Sequence, residues 1–167
     1  MATPIYLIAL GSNRPGRHGA PKAELRAALR EIGGLIAVSR IVDTAPLGPS
    51  LRRFANAVAA IESSETPPAL LARLKSIERD FGRRPGRRWG ARVMDLDIIL
   101  WSDGVWADRS VTVPHPEFRT RGFVVGPAAE IAPLWRDPVT NRSLRQIVAR
   151  LTRSRPLPNR VADGRGP

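Results

Sequence analysis

Gly82-Arg-Arg-Pro-Gly-Arg-Arg-Trp-Gly-Ala-Arg-Val-Met-Asp-Leu-Asp97 runs without a break into Ile98-Ile-Leu-Trp101. The apolar end reads as a buried strand over 95–101, because a short continuous apolar run fits a strand covered by neighbours. Side chains alternate along a strand, so Asp95 and Asp97 share one face. Two carboxylates side by side repel each other and invite a cation. Five arginines just upstream invite an anion. Alone, Asp-x-Asp reads equally well as the solvated face of a half-exposed strand. With the arginines beside it, a magnesium site that takes phosphate oxygens is favoured.

Working back from that strand, Thr66 and Pro67 mark a helix start. Leu70, Leu74, Ile77 and Phe81 give that helix one apolar face, and Gly82 closes it. Phe54–Ile61 and Leu35–Val42 read as strands, separated by a Pro- and Gly-rich loop over 43–49. Leu25, Ala28, Leu29 and Ile32 predict an earlier helix that starts at Pro21 and ends at Gly33-Gly34. Pro4–Leu10 reads as a buried first strand, followed by a loop over Gly11–Gly19. The order is β-α-β-β-α-β. We therefore expect an α+β fold, a ferredoxin-like core with a mostly antiparallel sheet, helices on one face and helical additions at the C-terminus. Among those additions, Ser143 with Gln146 predicts a capping box before a helix carrying Leu144, Ile147, Val148 and Leu151. Residues 1–152 are expected to form a single domain and 153–167 a basic, disordered tail.

The chain has 167 residues, 43% hydrophobic and 25% charged, within the globular range. Its formal net charge is +12, and of the 27 basic side chains only Lys22 and Lys75 are lysines. Such a balance suits nucleic acid or nucleotides, but arginines spread from Arg14 to Arg165 argue against one nucleic-acid face. There is no cysteine, hence no disulfide or thiolate zinc site. Nothing resembles a signal peptide or a membrane-spanning run, so a cytoplasmic protein is expected. Gly11 and Gly16 have the spacing of a phosphate-binding loop, yet Arg17-His18 stand where it needs lysine and a hydroxyl. Asn56, a polar residue on an apolar strand, either satisfies nearby backbone or reads the edge of a heterocycle. His115, between two prolines, is either a structural hydrogen-bonder or, with Arg121, a phosphate contact.

Several separated stretches, in order, resemble 6-hydroxymethyl-7,8-dihydropterin pyrophosphokinases of folate biosynthesis. They are Ala9-Leu-Gly-Ser-Asn13, Thr44-Ala-Pro-Leu-Gly48, Phe54-Ala-Asn-Ala-Val58, Glu78 with Gly82-Arg83, Trp89 to Ile98, Val113-Pro-His-Pro116 and Arg121-Gly-Phe123. The resemblance implies transfer of pyrophosphate from ATP to the pterin hydroxymethyl group, with release of AMP. It implies Asp95 and Asp97 as ligands of two Mg2+ ions, and Arg83 and Arg92 as catalytic arginines. ATP would be held by Leu71, Lys75, Glu78, Trp89, Ile98, Thr112, His115 and Arg121. The pterin would be held by Thr44, Pro46, Leu47, Phe54, Asn56 and Phe123. The implied partners are ATP and the pterin, with no nucleic acid, no membrane and a monomeric state. Three features depart from many relatives: a short stretch Ser50-Leu-Arg-Arg53, Phe54 in place of a tyrosine, and Lys75 in place of a glutamine. An RNA- or DNA-binding module of the same succession would need aromatic platforms on its strands, and only 5% of the chain is aromatic. A palm-type nucleotidyl transferase shares the carboxylates and magnesium; the nature of the released nucleotide separates it.

Overall fold

A computed structural model describes residues 1–45, 53–82 and 93–153. Strand β1 (Ile5–Ser12) lies at the centre, with β4 (Phe54–Glu62) on one side and β5 (Asp95–Trp101) on the other, both antiparallel to it. Two short strands, β2 (Leu35–Val38) and β3 (Val42–Thr44), both pair with β4, so the order is β2-β4-β1-β5 with β3 beside β4. The single strand expected over 35–42 is therefore two pieces. At the break, buried Ser39 donates its N–H to Val58 O, and its hydroxyl accepts from Val58 N–H. A side chain thus replaces the backbone ladder for one step and lets the chain change direction.

Helices α1 (Pro21–Ile32) and α2 (Pro67–Asp80) bury Leu25, Ala28, Leu70 and Leu74 against Tyr6, Ile8, Leu10, Leu96 and Ile98 on one sheet face. Both begin on the expected proline, but Thr66 makes no capping hydrogen bond. The apolar segment after Arg121 is helix α3 (Gly122–Ile131), with Pro127 inside it, and α4 (Leu144–Thr152) follows. The Ser143–Gln146 capping box is formed in both directions. Val124, Val125, Ala128, Leu144 and Ile147 pack on Leu7, Val58, Ile99 and Leu100, which point to the opposite sheet face. The two core helices thus lie on one face, as expected of the succession, and the C-terminal helices cover the second face. The reason is written into β1, where Tyr6, Leu7, Ile8 and Leu10 are all apolar and essentially fully buried. A strand with no polar alternation has two faces to bury.

Opposite the bulge in β5, Leu7 faces Leu100 and Ile8 faces Ile98, so Ile99 is the extra residue. A two-stranded ribbon of β6 (Trp106–Ala107) and β7 (Thr112–Val113) follows, then a 3-10 turn, η1 (Phe118–Thr120), that leads into α3. No helix among the described residues is long and apolar enough to cross a membrane. The tail expected from residue 153 lies, apart from Arg153, outside the described residues.

Candidate active site

The site is built from the register of β1. Asp95 lies opposite Gly11, Gly11 opposite Asn56, and Asn56 opposite Val42. One step along, Asp97 lies opposite Ala9 and Ala9 opposite Val58. Asp95 and Asp97 therefore share a face, as alternation requires, and both are half-buried. Asn56 stands two strands away, about 10 Å at ordinary strand spacing. Gly11, expected in a loop, is a strand residue whose lack of a side chain keeps this row open. A Cβ there would meet Asn56 Oδ1 at 3.2 Å and Phe54 Cδ1 at 3.9 Å.

Asn56 is buried and donates Nδ2–H to Thr44 Oγ1 at 2.8 Å. Thr44 in turn lies opposite Phe54. Three of the residues expected around a pterin are thus assembled at one end of the sheet. Phe123, at the start of α3, packs half-buried on the rim of the same apolar cluster as Ala9 and Val58.

His115 N–H donates to Ile99 O, which docks the Pro-His-Pro turn on β5 two residues past Asp97. Its Nδ1 accepts the Glu117 N–H at 3.2 Å, so the neutral ring carries its proton on Nε2. Burial pushes the His115 pKa below the ordinary 6.5; the Arg121 charge acts the same way, while Asp97, Glu117 and Asp95 oppose. The ring is expected to be neutral at pH 7 in the free protein. An NMR titration should give a midpoint below 6.5, and a midpoint above it would remove the neutral-donor reading. Arg121 caps the start of α3 and pairs with Glu117.

On the other side of β5, Glu78 of α2 is fully buried, and its Oε1 accepts from Leu96 N–H at 2.7 Å and from Lys75 Nζ at 2.8 Å. Burial pushes its pKa up; the Lys75 charge, the Lys75 hydrogen bond and the Leu96 N–H pull it back, and the Asp95 charge adds to the rise. Glu78 therefore holds β5 in place rather than facing outward, and Ile98 is likewise in the core. Leu71 is half-buried at the rim of the first core, with Val111 and Trp106 on that same rim, and Thr112 is exposed. Pro46, Leu47, Arg83, Trp89 and Arg92 lie outside the described residues.

The loop after β1 is anchored by a residue that no motif singles out. Glu24 is fully buried; Oε1 accepts the His18 N–H at 2.7 Å, and Oε2 lies 2.9 Å from His18 Nδ1. Gly16 is wedged so tightly that a Cβ would come within 2.6 Å of Val93 and 2.7 Å of Glu24 Oε1. The place of Gly11 within the strand row, Glu24, and the role of Lys75 at β5 escaped the sequence reading. A signal was present for the first two: a glycine ending an apolar run, and a carboxylate within a helix's apolar stripe.

The family model of 7,8-dihydro-6-hydroxymethylpterin-pyrophosphokinase (HPPK) matches residues 7–133, from within β1 to just past α3. A Pseudomonas aeruginosa protein named 2-amino-4-hydroxy-6-hydroxymethyldihydropteridine pyrophosphokinase is 37% identical over 148 residues, 85% of this chain and 88% of that one. A Synechocystis protein of the same name is 39% identical over 101 residues, 60% of this chain and 52% of that one. A solved HPPK-DHPS in complex with substrates superposes with a TM-score of 0.69 at 12% identity, covering 90% of this chain and 45% of that one. This chain thus spans about half the length of the Synechocystis relative and less than half of the solved HPPK-DHPS chain. The extent of these matches and the shared fold lead to one conclusion: the chain belongs to the 7,8-dihydro-6-hydroxymethylpterin-pyrophosphokinase family.

Proposed function

We propose that this chain transfers pyrophosphate from ATP to the hydroxymethyl group of 6-hydroxymethyl-7,8-dihydropterin, giving the pterin diphosphate and AMP, a step of folate biosynthesis. The observation that carries this reading is the row Asp95–Gly11–Asn56. With Asp97 on the same face, it supports a carboxylate pair and the Asn56 amide about 10 Å apart on one side of the sheet. The carboxylates suit a metal-bound polyphosphate and the amide suits the edge of a heterocycle. In this reading the strand order is the ferredoxin-like one, the chain works as a monomer, and it is cytoplasmic.

The residues fit magnesium. Among the described residues no group of three or more His, Cys, Asp or Glu side chains could hold a metal ion, which disfavours an all-protein cage. Mg2+ is typically held by one or two carboxylates, with phosphates and water completing the octahedron. Asp95 and Asp97 would hold the two Mg2+ ions, which when bound neutralise charge on the phosphates. The chain's own residues do the rest. His115 Nε2–H and Arg121 donate to phosphate oxygens, Arg83 and Arg92 offset charge that develops in transfer, and Leu71, Trp89 and Thr112 form the adenosine side, with Lys75, Glu78 and Ile98 behind it holding β5 in place. Asn56 and Thr44 read the pterin edge, Phe54 and Phe123 stack on its faces, and Pro46 and Leu47 complete the pocket.

The pterin hydroxyl oxygen bonds to the β-phosphorus in line, and the bond from that phosphorus to the α–β bridging oxygen breaks. AMP leaves with the bridging oxygen, and the hydroxyl proton passes to solvent. Phosphoryl-type transfer depends on positioning and charge neutralisation more than on covalent help. Incubation with ATP, magnesium and the pterin is expected to yield AMP; ADP, or no pterin-dependent turnover, overturns the assignment. A nucleic-acid module is disfavoured because α3 and α4 cover the sheet face that would serve as its platform.

Gly11→Ala is a narrow test of the pocket. The added methyl presses on Asn56 and only touches Phe54, with no carboxylate near it among the described residues, so the pterin KM should rise about tenfold while the ATP KM stays within about twofold, as for a contact worth 1–2 kcal/mol. A rise in the ATP KM alone would place the pterin elsewhere.

A further inference from the structure

The outer edge of β5 is closed by an ion pair. Among the described residues β5 pairs with β1 alone in the main sheet, and the N–H and C=O of Leu96 bond away from β1. An edge strand ordinarily leaves such groups to water or to another chain. Here Glu78 Oε1 takes the N–H, and Lys75 Nζ donates to the C=O at 2.9 Å. Lys75 also donates to Glu78 at 2.8 Å, so the two side chains and Leu96 form one closed unit. Held this way, Nζ lies 3.6 Å from Asp97 Oδ1, a charge contact beyond hydrogen-bond length. Lys75 reaches around the strand edge from α2, and both it and Asp97 keep about a third of their side chains in water.

We propose that Lys75 is a positioning residue that presets the charge of the metal site. Its ammonium weakens the grip of the aspartates on a free divalent cation and strengthens their grip on a cation that arrives with polyphosphate. The inference rests on reading Asp95 and Asp97 as metal ligands. The physical argument is one of sign. A single positive charge a few ångströms from a bare divalent ion repels it. A metal–triphosphate carries net negative charge, and the same ammonium attracts it. In a partly solvated site each effect amounts to about threefold to tenfold in affinity. A lysine that only braced the strand would weaken both kinds of binding when lost.

The test uses the full chain, Mn2+ as the probe by electron paramagnetic resonance of the free ion, and α,β-methylene-ATP as the nucleotide. Lys75→Gln removes the charge and keeps a hydrogen-bond donor, one bond shorter, on the side of the Leu96 carbonyl. We expect it to bind Mn2+ alone threefold to tenfold more tightly, and the Mn2+–analogue complex at least threefold more weakly. Should circular dichroism show K75Q unfolded, Lys75→Met, which also removes the charge, keeps the apolar stem and leaves Glu78 unchanged, carries the same two signs. Unchanged or weaker Mn2+ binding in a folded variant overturns the proposal. The control is Asp97→Asn: if it binds Mn2+ as tightly as the unsubstituted protein, the metal-site reading fails first, whatever K75Q does.

Discussion

Asp97→Asn is expected to lower AMP formation about a thousandfold while leaving the fold and melting temperature nearly unchanged. The side chain stands opposite Ala9 on β5, half-buried, and asparagine fills the same volume. What is lost is one negative charge from a pair that would hold the metal against the transferring phosphates. Charge stabilisation of this kind contributes several kcal/mol to the barrier, and about 4 kcal/mol corresponds to three decades of rate. The folded state loses little, because the Asp97–Lys75 contact is long and partly solvated, a class of ion pair that contributes at most about 1 kcal/mol. Single-turnover AMP release together with a thermal melt checks both halves. Turnover within tenfold of the unsubstituted enzyme ends the role given to Asp97; a large drop in melting temperature would mean that the loss of activity reports on folding.

The largest effect on stability is expected at Asp137, far in sequence from the carboxylate pair. Asp137 is fully buried, and Arg119 grips it with two hydrogen bonds of 2.6 and 2.7 Å. Thr140 Oγ1 donates to it at 2.6 Å and Val139 N–H at 3.1 Å. The Arg119 guanidinium lies over the ring of Phe118, which fills the second core. The cluster therefore fastens the loop before α4 to the turn between His115 and Arg121. Asp137→Ala leaves Arg119 without this partner and should cost about 3 kcal/mol, the range for breaking a buried pair, or roughly 10 °C in melting temperature. Burial acts to raise the Asp137 pKa from 3.8, but the hydrogen bonds from Arg119, Thr140 and Val139 and the guanidinium charge outweigh it and hold the value at about 2. The folded value is depressed, so the unfolded chain binds the proton more readily. The stabilisation, about 2 kcal/mol for such a shift, is complete above pH 5 and lost as the pH falls from 4 toward 2. Denaturant titrations at pH 7 and pH 3 should show about half of that loss, roughly 1 kcal/mol, in the unsubstituted protein and a smaller one in Asp137→Ala. Equal slopes would assign the acid sensitivity to other groups.

Local chemistry was legible wherever neighbours in sequence settle it. The shared face of Asp95 and Asp97 follows from strand alternation, the helix starts at Pro21 and Pro67 from proline's missing N–H, and the Ser143–Gln146 cap from a four-residue span. The cover on the second sheet face was legible too, in the unbroken apolar run of β1, although the succession of elements alone suggested helices on one side. Other features are decided by contacts between distant segments. That Gly11 separates Asp95 from Asn56 depends on the register of three strands. That Lys75 serves both Leu96 and Asp97 depends on how α2 seats against the β5 edge. By itself the sequence determined which residues carry charge, which strands and helices they stand on, and through its ordered motifs the family. Only the tertiary structure decided which of those charges meet, because a lysine on a helix finds its acceptors across space, where packing of two cores and not sequence distance sets the separation.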